Sequence, residues 1–558
     1  MDNLRLVLVF SLAAILFLIY EAWIADYGSA GTRPVAASVV GTQQGVSTTE
    51  TGSASTPDVP TPARAELPKL PGASVDLKAP APITVETDVL RLEISPLGGT
   101  VASVWLLDYP LSAEHADEKY RLFKPEPPNM FVAQSGLIGD KPGLLPTHEA
   151  LFQTTSNAYR LADNEDTLRV ELSWVGESGI QVVKRYEFRR GSYAVGFSQE
   201  VTNATAEPLV AREYNQLQRT PLNDPNATRF VNTYTGGVYY SPEDKYKKES
   251  FDAMRKAPLD RSVTDGWVAM IQHYFLGAWV PQRGISETFY TKVLDDSRFI
   301  IGQYSPAVSV APGNTHTFTD QLYVGPKLQD SLANVAPGLE LTVDYGWLTV
   351  IAQPIHWLLS AIHAVVGNWG WSIIVLTILI KLAFYKLSET SYKSMAGMRN
   401  LAPRMQALKD RYGDDKERLN QAMMELYKTE KINPLGGCLP ILVQIPVFIA
   451  LYWVLLESVE MRQAPWILWI DNLSAPDPFY ILPLIMGVSM FVQSRLNPTP
   501  PDPVQAKIMM SLPFVFTVFF AFFPAGLVLY WTVNNILSIA QQWHITRNVE
   551  KEAAKRKR

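Results

Sequence analysis

Apolar residues are concentrated at the two ends of this 558-residue chain, while the stretch between residues 83 and 326 is polar and charged in ordinary proportions. A transmembrane helix needs about 20 mostly apolar residues, and the first such run extends from Leu4 to Ala25. Arg5 ahead of the run is compatible with a cleaved signal peptide. Because the run continues through Trp23 and Ile24 without a clean small-x-small cleavage site, we predict an uncleaved anchor over residues 1–25.

Five further apolar runs lie close together near the C-terminus and predict a five-helix core over residues 367–546. The runs are Trp369 to Leu387, Gly437 to Leu456, Phe479 to Arg495, Ile508 to Phe523 and Ala525 to Trp543. Pro524 alone separates the last two runs, which predicts a tight hairpin. The runs from Phe479 and from Ile508 are short for a span, and a short span is accommodated by local thinning of the bilayer.

The distribution of Lys and Arg predicts how these spans are oriented, because short cytoplasmic loops carry an excess of both residues. Residues 386–436 contain ten of them and the tail 547–558 contains six, whereas the loop from Glu457 to Pro478 has only Arg462. The first two segments are therefore predicted to be cytoplasmic, including the basic tail. Threading back through the spans places the N-terminus inside and the large segment before Trp369 outside.

The exported segment has two parts of different composition. Residues 26–80 are rich in Ser, Thr, Ala, Gly and Pro, which predicts a flexible linker. Residues 81–330 show apolar residues at every second position, as at Leu90, Leu92 and Ile94. Such alternation over short runs broken by turns predicts antiparallel strands, and the number of runs favours a β-sandwich.

Little in the chain points to catalysis, metal binding or nucleic-acid binding. Cys438 is the one cysteine, the net charge is −5, and no Cys/His cluster is present. The exported histidines lie in no nucleophile or metal motif; they are His115, His148, His273 and His316. We therefore predict no enzyme activity, no cofactor, no metal and no specific nucleic acid.

Residues 345–366 predict an amphipathic helix between the sandwich and the second span. Trp347, Ile351, Leu358, Ile362 and Val365 lie near one helical face. A helix of this kind lies in the membrane–water interface, here on the outer side of the membrane that the spans cross. A buried helix of the sandwich domain is the alternative interpretation.

Residues 387–432 predict a cytoplasmic hairpin of two helices. Apolar residues recur at spacings of three and four, at Met395, Met398, Leu401, Met405 and Leu408 and then at Leu419, Met423 and Leu426. Gly413 can end the first helix, and Asp414 or Asp415 can cap the second. The helices either pack on each other or offer a methionine-rich, adaptable surface to apolar ligands.

Polar side chains within the apolar runs are candidates for function, because ionisable groups in spans are costly. Lys381 lies twelve residues after Trp369, about 18 Å along a helix, with Thr377 one turn before it. Gln444 lies in the third span, and the last span carries a polar stripe of Thr532, Asn535, Ser538 and Gln542. The lysine can snorkel and the stripe can join helices; a cation without a carboxylate in a span instead favours a hydrated cavity. Phe448, Tyr530 and Trp531 can line its deeper wall.

Three motifs resemble the YidC family of membrane protein insertases. They are the run from Asn433 to Phe448 (NPLGGCLPILVQIPVF), the run from Arg462 to Pro465 (RQAP) and the run from Phe523 to Tyr530 (FPAGLVLY). The resemblance covers nearly the whole chain, and the long exported domain is similar to the Gram-negative form. It implies a multi-domain membrane protein with six transmembrane α-helices, a large periplasmic β-sandwich similar to sugar mutarotases, and a cytoplasmic α-helical hairpin.

The resemblance also implies what the site does. In the family, a cation in the second span faces a groove that is open to the cytoplasm and to lipid. Lys381 lies at the matching position, where the family usually has Arg, so the charge is kept but the planar fork is lost. The expected groove residues are Lys381, Thr377, Gln444, Phe448, Tyr530, Trp531, Thr532, Asn535 and Ser538.

The family function implied is insertion, folding and assembly of bacterial inner-membrane proteins. The expected partners are nascent membrane proteins, the Sec translocon (SecYEG with SecDF), the ribosome and membrane lipids. The alternatives are a transporter, for which no internal repeat is found, and a membrane-anchored periplasmic protein that binds or modifies carbohydrate. Deletion of most of Thr84 to Pro326 would separate an insertase from an anchored carbohydrate protein.

Overall fold

The computed structural model describes residues 81–112, 114–222, 233–295, 297–413, 415–430, 439–497 and 503–556. The backbone alone is described for residues 400, 402, 416, 439–442, 503–505, 550 and 552–556. The predicted anchor at 1–25 and the predicted linker at 26–80 lie outside the described residues. The chain divides into two compact units, whose described parts are residues 81–343 and residues 344–556.

The first unit is built from nineteen described strands, which confirms the predicted β-rich domain. They are β1 (Ile83–Glu86), β2 (Leu90–Ser95), β3 (Thr100–Pro110), β4 (Lys119–Phe123), β5 (Phe131–Ile138), β6 (Ala158–Arg160), β7 (Thr167–Val175), β8 (Ile180–Arg189), β9 (Ala194–Asn203), β10 (Leu209–Arg219), β11 (Gly236–Ser241), β12 (Lys245–Glu249), β13 (Asp260–Thr264), β14 (Trp267–Ile271), β15 (Phe275–Pro281), β16 (Ser286–Leu294), β17 (Arg298–Tyr304), β18 (Val308–Val310) and β19 (Thr315–Pro326). Two short helices complete the unit, α1 (Phe251–Lys256) and α2 (Gln329–Val335).

These strands form two sheets. One has the order β13-β16-β17-β10-β5-β3-β2-β1-β6, with β18 beside β10 and β4 beside β3, and the other has the order β12-β11-β14-β15-β19-β9-β8-β7. Apart from β1 with β6, the strand pairs are antiparallel, as in the register Val85↔Leu92. Leu90, Leu92 and Ile94 are buried on one face of β2, as their alternation predicts.

The core of the sandwich combines aromatic rings with buried polar groups. Trp279 is 1 % exposed, lies 5.3 Å from the Phe197 ring, and donates its indole N–H to the Gln216 carbonyl over 3.2 Å. Lys184 is fully buried and its ammonium donates to the carbonyls of Gly98 and Ser135, both at 2.7 Å. The lysine is accommodated because these carbonyls replace water around its charge.

One edge of the second sheet is strongly basic. β12 is the outermost strand and pairs with β11 alone among the described strands. Lys245, Lys247 and Lys248 occupy three of its five positions. Lys248 also lies over the Tyr234 ring, 5.2 Å from its centroid.

The second unit is helical. Its helices are α3 (Thr349–Val366), α4 (Trp369–Ala383), α5 (Tyr385–Tyr412), α6 (Lys416–Thr429), α7 (Leu439–Glu457), α8 (Ile481–Leu496), α9 (Pro503–Phe520) and α10 (Ala525–Arg556). α10 packs against α8, α4 and α5, whereas α7 packs mainly against α3. The bounds of α8 lie close to the predicted run from Phe479, and the turn at Pro524 separates α9 from α10.

The predicted single helix from Trp369 to Leu387 is interrupted. α4 ends at Ala383, and the chain bends by 67° before α5 continues. The sequence becomes charged at this point: Glu389 pairs with Lys386 at 3.2 Å and with Lys393 at 2.7 Å on the surface of α5. Because these charges are best solvated in water, they favour a chain direction for α5 that differs from that of the apolar helix α4.

α5 and α6 are consecutive helices that pack on each other. Gly413 follows the last residue of α5, as expected. Asp415 is the N-cap of α6 and accepts the backbone N–H of Arg418 over 3.1 Å. Leu401 and Met423 are buried, and Tyr427 of α6 lies 3.7 Å from the Met405 sulfur of α5. The two helices therefore pack on each other through the apolar positions that the spacing identified.

Candidate functional site

Lys381 lies in the last turn of α4 and points toward α10. Its ammonium donates a hydrogen bond to the Ser538 hydroxyl over 2.8 Å. The side chain is half-buried, and within the described residues none of the ion pairs involves it. The stem is thus directed across to another helix and not along α4 toward its end.

The polar stripe of α10 is buried and bonds mainly to other helices. Asn535 donates to the Ser489 hydroxyl of α8 over 3.2 Å. Gln542 donates to the carbonyl of Leu496 over 3.3 Å and to the side chain of Asn497 over 3.1 Å. Ser538 accepts from Lys381 of α4. Three of the four stripe residues therefore join α10 to its neighbours, as interhelical hydrogen bonds do in membranes.

Two candidate residues bond to their own helices instead. Thr377 donates its hydroxyl to the Ile373 carbonyl over 2.6 Å, and Thr532 donates to the Val528 carbonyl over 2.7 Å. Both are buried. Their hydroxyls are internally satisfied, so they line the interior of the bundle without needing a partner across it.

A second group of candidate residues is aromatic. The Phe448 ring of α7 stacks on Trp531 of α10 with centroids 5.7 Å apart and an angle of 17°, and it lies 5.5 Å from the Tyr530 ring. Phe520 of α9 lies 4.7 Å from Trp531. Gln444 precedes Phe448 by one turn and is half-buried. These contacts bring α7, α9 and α10 together.

The structure therefore separates the candidate residues into two levels. Tyr530 and Ser538 are eight residues apart on α10, which is about 12 Å along the helix. The aromatic contacts form the level near the beginning of α10, and the Lys381 contact forms the level farther along it. The polar and apolar candidate residues therefore lie at different heights along α10 and do not meet at one point.

The segment between α7 and α8, residues 458–480, closes the end of the bundle at which α4 and α10 begin. Asn368 donates its side-chain amide to the carbonyls of Pro465 and Trp466 over 3.2 and 3.3 Å. The backbone N–H groups of Ala525 and Gly526 donate to carbonyls of the same segment over 2.7 and 2.8 Å. We name this segment the cap.

The cap also fits closely against α4. Gly370 has no room for a side chain, since a Cβ there would lie 2.1 Å from the Trp466 ring. The sequence distinguished this segment by its low number of cations and by the motif from Arg462 to Pro465, and neither predicted the contacts with α4 and α10. The available signal was its concentration of Asn, Asp and Pro between two apolar runs.

α3 lies against α7 and α4 on one side and is exposed on the other. Trp347 and Trp357 are 67 % and 70 % exposed. His356 lies 3.8 Å from the Glu460 carboxylate, and His363 stacks on Trp369 with centroids 3.8 Å apart. The exposed Trp357, with Trp347 in the turn just before the helix, gives this segment an apolar outer face.

By length and composition, one described helix, Gly346–Val366, is apolar enough to cross a membrane, and the bent pair Trp369–Ala383 with Tyr385–Arg399 would provide a second. Shorter apolar helices run over Val443–Glu457, Ile481–Leu496 and Ala506–Phe520. α10 has 32 residues, and its polar stripe and charged end lower its mean hydropathy.

The sandwich contains a buried ionisable network. Burial raises the pKa of the Asp320 carboxyl to about 6, although hydrogen bonds from Gln303 and Asn215 oppose the shift. Burial lowers the pKa of the Lys184 ammonium to about 7, opposed by Glu213. Asp320 is 6 % exposed and Lys184 is fully buried, so this network belongs to the core between the sheets and not to an open catalytic site.

Metal and histidine chemistry is also limited in the described parts of the chain. The residues that the structure describes contain no group of three His, Cys, Asp or Glu side chains arranged to hold a metal ion. His148 is buried, and its Nδ1 lies 2.7 Å from the Tyr214 hydroxyl. This contact accounts for one exported histidine as a core residue.

Comparison with known proteins gives full-length matches. Residues 82–358 match the family described as the YidC periplasmic domain, and residues 361–552 match the family described as 60Kd inner membrane protein. The chain is 54 % identical to the membrane protein insertase YidC of Thioalkalivibrio sulfidiphilus, over 100 % of both chains. It is 50 % identical to that of Methylococcus capsulatus, again over 100 % of both, and 48 % identical to that of Pseudomonas putida, over 99 % of both.

Similarity to solved structures is weaker. A crystal structure of an active YidC insertase with the first transmembrane domain resolved aligns with 83 % of this chain and 92 % of its own, at 17 % identity and a TM-score of 0.37. A galactose mutarotase related enzyme from Lactobacillus acidophilus aligns with 44 % of this chain and 97 % of its own, at 12 % identity and a TM-score of 0.31. Because these TM-scores are low, the family assignment rests on the sequence relatives alone.

Proposed function

Because this chain belongs to the YidC family of membrane protein insertases, we propose that it inserts its clients through a hydrated groove walled by α4, α7 and α10, in which Lys381 supplies a positive charge. Insertion of membrane proteins is the function of the family, whose members are named as insertases and not as enzymes. Beyond this family function, we propose the groove, its orientation and the residues that line it.

The observation that carries the groove is the position of Lys381. Its ammonium lies between helices, 2.8 Å from a neutral hydroxyl, and no carboxylate of the described residues pairs with it. A cation at membrane depth needs water or a counter-charge around it. Water in a groove provides that solvation, and the acidic flank of a client provides the counter-charge.

The aromatic contacts support a separate path for the apolar part of a client. Phe448, Tyr530 and Trp531 form an apolar surface about two helical turns away from the cation along α10. A client helix can slide along this surface toward lipid while its polar flank stays near Lys381. The driving force is burial of the client in hydrocarbon, at about 25 cal/mol per Å² of apolar area, so the step needs no nucleotide.

The cap supports a groove that is closed at one end. Its hydrogen bonds to the beginnings of α4 and α10 fill the end at which Asn368 and Ala525 lie. In the orientation given by the positive-inside count, that end is periplasmic. Clients would then enter from the cytoplasm and leave sideways to lipid, with Thr377, Gln444, Thr532, Asn535 and Ser538 lining the interior.

The same orientation completes the topology that we propose. There are six spans, with both termini and the hairpin of α5 and α6 in the cytoplasm and the sandwich in the periplasm. The exposed Trp357 of α3 and the exposed Trp347 just before this helix favour a position at the outer interface, where indoles are enriched. The proposed partners are nascent membrane proteins, the Sec translocon, lipids and, through the basic tail, the ribosome.

Replacement of the lysine tests the groove. A charge pair about 10 Å apart at an effective dielectric constant of about 20 contributes about 1.7 kcal/mol, so Lys381→Gln should reduce insertion of a client with an acidic translocated flank roughly tenfold. A client with the same span and a neutral flank should be inserted normally. The measurement is protease protection of the two clients in proteoliposomes that contain the purified protein.

Lys386→Gln is the matched control, because Lys386 is five residues away and its side chain is 90 % exposed. It should leave both clients unchanged. An equal loss of both clients in Lys381→Gln, or no loss at a normal protein level, would refute the role of the charge.

A further inference from the structure

The Ser538 hydroxyl is oriented by its own helix. It donates its proton to the Asn534 carbonyl over 2.7 Å, which directs its oxygen lone pairs away from α10. The Lys381 ammonium donates to that oxygen over 2.8 Å. Ser538 is 3 % exposed, so this acceptor is fixed in the packed interface between α4 and α10.

Lys381 would have another place to go without this acceptor. The next residue, Leu382, is 62 % exposed, and α4 ends one residue after it, at Ala383. A lysine stem is long enough to carry its charge along the helix end toward an aqueous interface. The hydrogen bond to Ser538 holds the ammonium against α10 instead.

A hydroxyl holds a cation without cancelling it. A carboxylate at the same position would form an ion pair and remove most of the field that a client meets. An ammonium has three N–H donors, and Ser538 uses one of them, so two stay available to water or to a client carboxylate. The neutral acceptor therefore fixes the location of the charge and preserves its strength.

We propose that Ser538 is a positioning residue for Lys381, holding its ammonium in the groove wall so that acidic client flanks meet the charge there. The proposal rests on the proposed function for its consequence in insertion, but the positioning itself is measurable separately. A purely structural role for the serine, as a link between helices, is the competing explanation. Ser489 offers a matched comparison, because it is also a buried serine that accepts a hydrogen bond from another helix, here from Asn535.

The first measurement is chemical and needs no client. The full-length protein in proteoliposomes is treated with N-hydroxysuccinimidyl acetate at fixed pH, and acetylation of Lys381 is followed by mass spectrometry, with the exposed Lys386 as internal reference. Loss of a hydrogen bond to a charged group shifts a local equilibrium by roughly tenfold, so Ser538→Ala should raise the Lys381 rate by about that factor. Ser538→Thr, which keeps the hydroxyl, should restore the slow rate.

Ser489→Ala tests whether loosening of the bundle is sufficient. This variant removes the hydroxyl oxygen that accepts from Asn535 in the contact between α8 and α10. It should leave the acetylation rate of Lys381 unchanged. An unchanged rate in Ser538→Ala, or an equal rise in Ser489→Ala, would overturn the proposal regardless of any insertion result.

The second measurement uses the acidic-flank and neutral-flank clients. Ser538→Ala should lower insertion of the acidic-flank client about as much as Lys381→Gln does and spare the neutral-flank client. If Lys381→Gln discriminates between the clients and Ser538→Ala does not, the positioning role is refuted while the groove stands. If Lys381→Gln itself fails to discriminate, the proposed role of the charge fails, and the acetylation rates still decide whether Ser538 positions the lysine.

Discussion

Asp477 accepts the backbone N–H of Leu482 at the start of α8 over 2.7 Å. Its other oxygen accepts the Trp469 indole N–H and the Phe479 backbone N–H, each over 3.0 Å. The carboxylate is 1 % exposed. One buried side chain thus accepts one of the free N–H groups in the first turn of a helix, and it also binds a tryptophan of the cap.

Asp477→Ala should destabilise the helical unit. It leaves three donors without their acceptor in a buried place, at a cost of about 2 kcal/mol or more. The measurement is thermal unfolding of the detergent-solubilised protein, in which the midpoint should fall by several degrees. Asp471→Ala, an exposed Asp in the same segment, is the control, and equal midpoints for the two variants would contradict the capping role.

Gly487→Ala should force α8 and α9 apart. A Cβ at Gly487 would lie 1.9 Å from the Thr517 hydroxyl oxygen of α9, and overpacking of this kind costs about 1–3 kcal/mol. Thr517→Ala removes that oxygen and leaves the nearest atom, its Cβ, at 3.1 Å. The double variant should therefore regain most of the stability lost in Gly487→Ala, as measured by a double-mutant cycle of unfolding midpoints. If the changes in unfolding midpoint of the two single variants simply add in the double variant, Gly487 and Thr517 are not in contact.

The sandwich should be more stable at mildly acidic pH than at neutral pH. Burial raises the pKa of Asp320 from 3.8 to about 6 in the folded state, so the folded form binds the proton more tightly than the unfolded form. The contribution to stability is present below about pH 4 and is lost as the pH rises through about 6. A shift of this size corresponds to roughly 3 kcal/mol, and Glu213 and Glu287, whose pKa values burial also raises, act in the same direction.

Urea unfolding of the fragment 81–343 between pH 4 and pH 7 checks this expectation. Asp320→Asn should flatten the decline of the free energy of unfolding with pH, because the neutral amide cannot titrate. Asp163→Asn, at an exposed turn, should keep the slope of the parent fragment. A slope that is the same in the Asp320→Asn fragment and the parent would mean that another group titrates.

Periodicity predicted much of the fold. The alternation at Leu90, Leu92 and Ile94 predicted β2, and the spacing of apolar residues within each segment, as at Met405 and Leu408 and then at Leu419 and Met423, predicted two helices. Both patterns are local consequences of which face of an element is buried. The bend before Tyr385 was not predicted, because no Pro or Gly marks it.

The sequence identified candidate residues for the site but not the contacts that they make. The spacing of Thr532, Asn535 and Ser538 predicted one polar stripe, and Lys381 was expected near it. Ser489 as the partner of Asn535 was not predictable, because a helical serine contributes nothing to periodicity until the neighbouring helix is known. The separation of Lys381 from Phe448 into two levels likewise depends on how far each helix is shifted along its neighbours.

The lysines of β12 have a consequence for a protein whose clients are apolar and incompletely folded. An open sheet edge offers unpaired N–H and C=O groups to any extended chain, and charged residues on the edge discourage such pairing. With Lys245, Lys247 and Lys248 on that strand, a second copy of the domain would bring like charges together. A basic client segment would meet the same repulsion, so the lysines of β12 oppose the addition of a basic extended chain to this sheet.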